Sequence, residues 1–136
     1  MKVNKVIIFL LGLLLSSCFG SEFQREKILG NYFIITTDNY NKDIYIGYKL
    51  ESGDFVGVIS SKIIEIGKNE EFIIAKQSKS NDNDSEFDYY IIEKMEHTIT
   101  PEKGVLGPLT KKEFQIKTRV LGLKQLRFEK VLDSDY

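Results

Sequence analysis

Phe72-Ile73-Ile74-Ala75-Lys76-Gln77 and, beyond the polar stretch Ser78 to Glu86, Phe87-Asp88-Tyr89-Tyr90-Ile91-Ile92-Glu93-Lys94-Met95 are the two runs that decide how this chain folds. Both are rich in β-branched and aromatic residues, which suit a pleated surface better than a helix. Both also carry apolar side chains at consecutive central positions (Ile73 and Ile74; Tyr89 to Ile92), so neither face of such a strand is left for water. Two central strands covered on both sides are expected, joined by an exposed acidic hairpin loop. A further element must then cover the face that one packed layer would leave open.

Upstream, Tyr32 to Thr37 repeats the doubly apolar centre in Phe33, Ile34 and Ile35. Ile44 to Leu50 alternates instead, with Ile44, Ile46, Tyr48 and Leu50 on one face and Tyr45, Gly47 and Lys49 on the other. Phe55 to Ile59 and Ile63 to Ile66 are shorter strands of the same kind, and turn chemistry separates the runs at Asp38, Asn39 and Asn41, at Ser52 to Asp54, and at Gly67 to Asn69. Downstream, Gly107-Pro108-Leu109 reads as a turn into a helix. Thr110 stands as N-cap, Glu113 completes a capping box and Leu109 with Phe114 forms the staple. Phe114, Ile116, Val120 and Leu121 are its expected apolar side, Gly122 its terminator, and Leu126 to Val131 a returning strand. The reading is an α+β domain: a mainly antiparallel sheet of about six or seven short strands with one C-terminal helix packed on it.

The first residues do not fit that domain. Lys2 and Lys5 precede an apolar run from Val6 to Leu15, long enough for a signal sequence and too short to cross a bilayer, which takes about 20 residues. Leu15-Ser16-Ser17-Cys18 then places two small residues and a cysteine where that run ends, the pattern of a bacterial lipobox. The expected organisation is a signal peptide over residues 1–17, cleavage between Ser17 and Cys18, and a lipidated cysteine with its tether over 18–30. A single globular domain over 31–132 and a short tail over 133–136 follow. By resemblance to lipoproteins, Cys18 would carry a diacylglyceryl group and a further fatty acyl chain. More than one chain is what makes such anchoring stable.

Removal of residues 1–17 takes the formal charge from −1 to −3 and leaves 119 residues, enough for a core that needs neither metal nor disulfide. Mild acidity argues against nucleic acid as partner, because phosphate neutralisation needs clustered Lys and Arg. Cys18 is the sole cysteine, so the domain has no thiol for catalysis or for an internal disulfide. No cofactor and no catalytic residue is expected. His97, the single histidine, lies just past a strand beside Glu96 and reads as an exposed loop residue. Asn81, Asp82, Asn83, Asp84 and Glu86 hold oxygen ligands but no glycine at the turn of a calcium loop. Asn39, Asn41 and Asp43 fail in the same way, with Ile44 at that position. Glu70 and Glu71, adjacent on an extended chain, point to opposite faces. Most aromatic residues fall at strand positions, with Tyr40, Tyr45 and Tyr90 the candidates for a binding surface.

Phe72 to Gln77, Tyr89 to Lys94, and Gly107-Pro108-Leu109-Thr110 leading to Glu113-Phe114 together resemble a family of small bacterial lipoproteins catalogued under number 3997 as a domain of unknown function. The resemblance covers roughly Tyr32 to Leu123 and implies a lipobox leader. It carries over no activity and no functional residue. The expectation is a non-catalytic binding or interaction module of the bacterial cell envelope, attached to a membrane through Cys18, with an undetermined protein partner or small ligand. The alternative is an immunity or inhibitor lipoprotein acting on an envelope toxin or enzyme, and a hydrolase using His97 comes third.

Overall fold

A computed structural model of the chain describes residues 24–37, 43–79 and 85–131. The chain forms β1 (Gln24–Leu29), β2 (Tyr32–Thr36), β3 (Ile44–Lys49), β4 (Phe55–Ile59), β5 (Ile63–Lys68), β6 (Phe72–Ser78), β7 (Phe87–Glu93), β8 (Val105–Leu109), α1 (Lys111–Val120) and β9 (Glu129–Lys130). The strands make two antiparallel sheets, ordered β1-β2-β3-β4 and β8-β7-β6-β5-β9. The class is α+β with a C-terminal helix, and the described residues hold nine strands where alternation alone suggests six or seven.

The two sheets face each other across an aliphatic core. Ile34, Ile46, Tyr48 and Ile59 of the first sheet meet Ile63, Ile73, Ala75 and Ile92 of the second. Tyr32 and Tyr48 pack edge to face at 4.9 Å between ring centres, and both carry their hydroxyls to the end of β7 and the chain just after it. Tyr32 OH donates to the Glu93 carbonyl and accepts from the Met95 N–H, and Tyr48 OH donates to the Met95 carbonyl, each at 3.3 Å. Burial pushes the Tyr32 hydroxyl pKa above its ordinary value, opposed by the Met95 hydrogen bond and helped by Tyr48 and Glu93. The same side chains thus fill the core and fix the two sheets in register. Among the described residues no buried side-chain polar atom lacks a partner.

Ile74, Tyr89 and Ile91 point to the other side of the second sheet and pack with Phe114 and Leu123. This is why the two deciding runs are apolar on both faces: one face of β6 and β7 meets the first sheet, the other meets α1 and the chain after it. The start of α1 is as the capping box requires. The Glu113 N–H donates to Thr110 Oγ1 at 3.2 Å, and the Thr110 N–H donates to Glu113 Oε2 at 2.8 Å. Hydrogen bonding to Thr110, through its backbone first and then its side chain, holds the Glu113 carboxyl below its ordinary pKa. At the other end Gly122 takes φ +71°, a left-handed conformation that glycine adopts without a Cβ penalty. The Gly122 and Leu123 N–H groups close a Schellman motif on the Arg119 and Thr118 carbonyls at 3.2 and 2.7 Å.

Several expectations need correction. Gln24–Leu29, inside the segment read as tether, is an edge strand paired with β2 from Gln24↔Thr36 to Leu29↔Tyr32. Its run of Gln, Arg, Glu and Lys hides it from any apolar count. Gly107-Pro108-Leu109, read as a turn, belongs to β8, where the register with β7 breaks opposite Tyr90. Proline is tolerated there because the strand lies at a sheet edge. Gly67 and Lys68 belong to β5 rather than a turn, and Gly67 is placed where a Cβ would run into the Arg127 carbonyl. The turn is Asn69 to Glu71, with Asn69 Oδ1 accepting from the Glu71 and Phe72 N–H groups at 2.9 and 2.7 Å. The returning run Leu126 to Val131 pairs as a strand only at Glu129–Lys130, against Ile66 and Glu65 of β5.

Candidate functional site

Phe114 is the one residue of the expected apolar side of α1 that is buried. Ile116 is 50% exposed, Val120 76% and Leu121 37%. Residues 116 and 120, one turn apart, share a face, and that face turns away from Phe114. The helix lies chiefly on β7 and β8, with Phe114 clustered beside Ile74 of β6, and the rest of that face is covered by the connector that follows, through Leu123, Leu126 and Phe128.

Between α1 and that connector lies an open groove of about 600 Å³. Its floor is Ile74, Phe114, Leu123, Leu126 and Phe128, and Phe114 and Phe128 stack there with ring centres 5.5 Å apart. Its rim holds Arg119, Lys124 and Arg127, with Gln115 and Thr118 as the neutral polar groups and no carboxylate among the lining residues. Arg127 Nη1 donates to the Lys124 carbonyl at 2.8 Å, which holds that guanidinium across the connector. Apolar floor and unbalanced cationic rim together suit a ligand or surface that is both apolar and anionic.

A second cavity of about 450 Å³ lies where β1 passes β5 and β9. Its cations Lys27, Lys68, Arg127 and Lys130 are offset by Glu26 and Glu129, and Lys68 Nζ is already spent on the Ile28 carbonyl at 2.6 Å. The groove under α1 is the better candidate because its charge is uncompensated.

The residues singled out from sequence fall elsewhere. His97 is exposed, with φ +51°, and its Nδ1 stands 2.8 Å from Glu51 Oε1 on the turn between β3 and β4. The Glu51 hydrogen bond, then its charge, pushes the His97 pKa up. No other side chain bonds to the ring among the described residues, so a nucleophile-base arrangement is not assembled at His97. Tyr90, expected at the surface, packs against the inter-sheet core and donates to Gln77 Oε1 at 2.8 Å, while Gln77 Nε2 reaches Ser60 and Ser61. Burial, followed by the charge of Asp88, raises the Tyr90 pKa. Tyr45 is half-buried on the outer face of the first sheet, where Phe33 and Phe55 meet edge to face at 5.3 Å under the guanidinium of Arg25.

Glu86 and Asp43 are exposed, whereas Asn81, Asp82, Asn83, Asp84, Asn39, Asn41 and Tyr40 lie outside the described residues, as do Ser17 and Cys18. Among the described residues no three His, Cys, Asp or Glu side chains gather as for a metal ion. The groove itself was not legible as a site. The one signal for it in the sequence is the basic run from Lys111 to Arg127, in which Glu113 is the single acid.

Fold and groove define a class: a small two-sheet α+β domain whose C-terminal helix roofs a basic-rimmed, apolar-floored depression. The chain belongs to the family described as "Protein of unknown function (DUF3997)", whose model matches residues 29–132. No curated protein and no solved structure matches the chain.

Proposed function

We propose that this protein is a lipid-anchored component of the bacterial cell envelope whose domain works by binding rather than by catalysis. The observation that carries the reading is Leu15-Ser16-Ser17-Cys18 at the end of a short apolar run preceded by Lys2 and Lys5. It is supported by a domain that begins its first strand at Gln24, six residues beyond the cysteine. Binding is favoured over hydrolysis because His97 stands in solvent against a single carboxylate, while the groove under α1 offers a shaped, charged surface.

The test is the chemistry of the mature N-terminus. Mass spectrometry of the protein from membranes is expected to find Cys18 as the first residue, carrying diacylglycerol, and Cys18→Ala is expected to leave the membrane fraction after a high-salt wash. A mature chain that starts elsewhere, or a Cys18→Ala protein that stays with salt-washed membranes at the wild-type level, overturns the proposal.

A further inference from the structure

We infer that the outward face of α1, with the connector after it, rests on an anionic lipid surface. Residues 111–127 hold Lys111, Lys112, Lys117, Arg119, Lys124 and Arg127 against Glu113, in a chain whose overall balance is acidic. All six cations are exposed, and none has an ion-pair partner among the described residues. Three lysines elsewhere, Lys76, Lys79 and Lys94, are paired to Glu65, Asp88 and Glu96 at 2.9 to 3.2 Å, so what sets residues 111–127 apart is the clustering of six cations around one acid. Glu113 is the one acid among them, and its carboxylate is held in the helix cap by the Thr110 N–H.

Charge alone would suit many anions, and it is the aliphatic residues that select a bilayer. Ile116 and Val120 form a ridge on the side of α1 opposite Phe114, and at 100° per residue Lys112, Lys117 and Arg119 flank it. A basic rim around an exposed aliphatic ridge is the arrangement by which a surface helix seats its apolar side at the headgroup boundary while its cations meet anionic lipid. The neighbouring groove, apolar below and cationic above, extends the same chemistry. Tether length agrees, and this step alone rests on the lipid-anchor reading: six residues from Cys18 to Gln24 span at most about 20 Å, which keeps the domain within reach of the bilayer.

The probe is a fluorophore of polarity-sensitive emission on Val120→Cys in the acylated full protein, where the Cys18 sulfur is blocked and the new thiol is unique. Vesicles of phosphatidylcholine with phosphatidylglycerol are expected to shift its emission to the blue. Vesicles of phosphatidylcholine alone, or high salt, are expected to abolish the shift. The same label on Ser52→Cys, on the turn of the sheet that α1 does not touch, is expected to stay unshifted. Charge reversal in Lys112→Glu/Lys117→Glu/Arg119→Glu is expected to lower the apparent vesicle affinity of the Val120 probe at least tenfold while the circular dichroism spectrum is kept. No shift on the anionic vesicles, an equal shift at Ser52, or a shift that grows with protein concentration without vesicles overturns the inference, the last by assigning the face to a second copy. Failure of the anchor reading shows separately, as a second fluorophore on an unacylated Cys18.

Discussion

The two faces of β6 and β7 are a controlled comparison within one molecule. Toward the first sheet they present Ile73, Ala75 and Ile92, all wholly buried, under a layer that closes completely and is tied down by two tyrosine hydroxyls. Toward α1 they present Ile74, Tyr89 and Ile91 under a single ten-residue helix and an irregular connector, which leave a groove between them. Both sides are apolar at the level of composition. The difference is in what covers them: a sheet matches the width of a sheet, whereas one helix lies chiefly over β7 and β8 and meets β6 only where Phe114 clusters with Ile74. The closed face supplies rigidity and the open one is free for contacts.

Ile73→Ala should break the closed face most. It opens a cavity where nothing can relax, and urea titration is expected to show a loss of about 3 kcal/mol with an unchanged slope. Phe114→Ala on the open face removes a larger side chain but should cost less, about 2 kcal/mol, because the groove already admits water beside it. A loss on the open face equal to or above that of Ile73→Ala would erase the distinction. Thr110→Ala, which removes the acceptor for the Glu113 N–H, is expected to cost about 1 kcal/mol, to loosen α1 and to leave exchange protection of β2 and β3 intact.

The smallest effects are electrostatic. The Glu113 carboxyl lies below its ordinary pKa, so its contribution to the cap is present above the unfolded value and fades as pH falls through the folded one. The His97 pKa is raised by Glu51, so that contribution has the opposite sign: it is complete below the unfolded value of about 6.5 and is lost as pH rises through the folded one. NMR titration is expected to place the His97 midpoint above 6.5 and to return it toward that value in Glu51→Gln. A midpoint indifferent to Glu51 would mean that the pair does not hold in solution.

What could be read in advance follows from how many residues carry each signal. The boundaries of β2, β3, β4, β6 and β7 match the β-rich runs read from the sequence to within two residues, and Thr110, Glu113 and Gly122 mark the ends of α1. β1 and β8 escape because edge strands need no apolar pattern: Arg25, Glu26 and Lys27 keep one outer strand soluble, and Gly107 with Pro108 disguise another as a turn. The burial of α1 is misjudged for a related reason. Phe114 stands about 200° from Ile116 around a helix, so the four apolar residues do not form one stripe, and tertiary structure decides that Phe114 is the one that points in while Ile116 and Val120 point out. The groove depends on Phe128 and Leu126 coming back from the connector, a distance in sequence that no local pattern encodes.

The break in pairing between Tyr89/Leu109 and Ile91/Leu106 bears on solubility. An incoming strand that tried to extend the second sheet at β8 would meet a proline without a donor, an irregular spacing of carbonyls, and after Leu109 a chain that turns at once into α1. Copies held side by side at high local density therefore find no regular hydrogen-bonding template at that border, and the sheet stops at five strands.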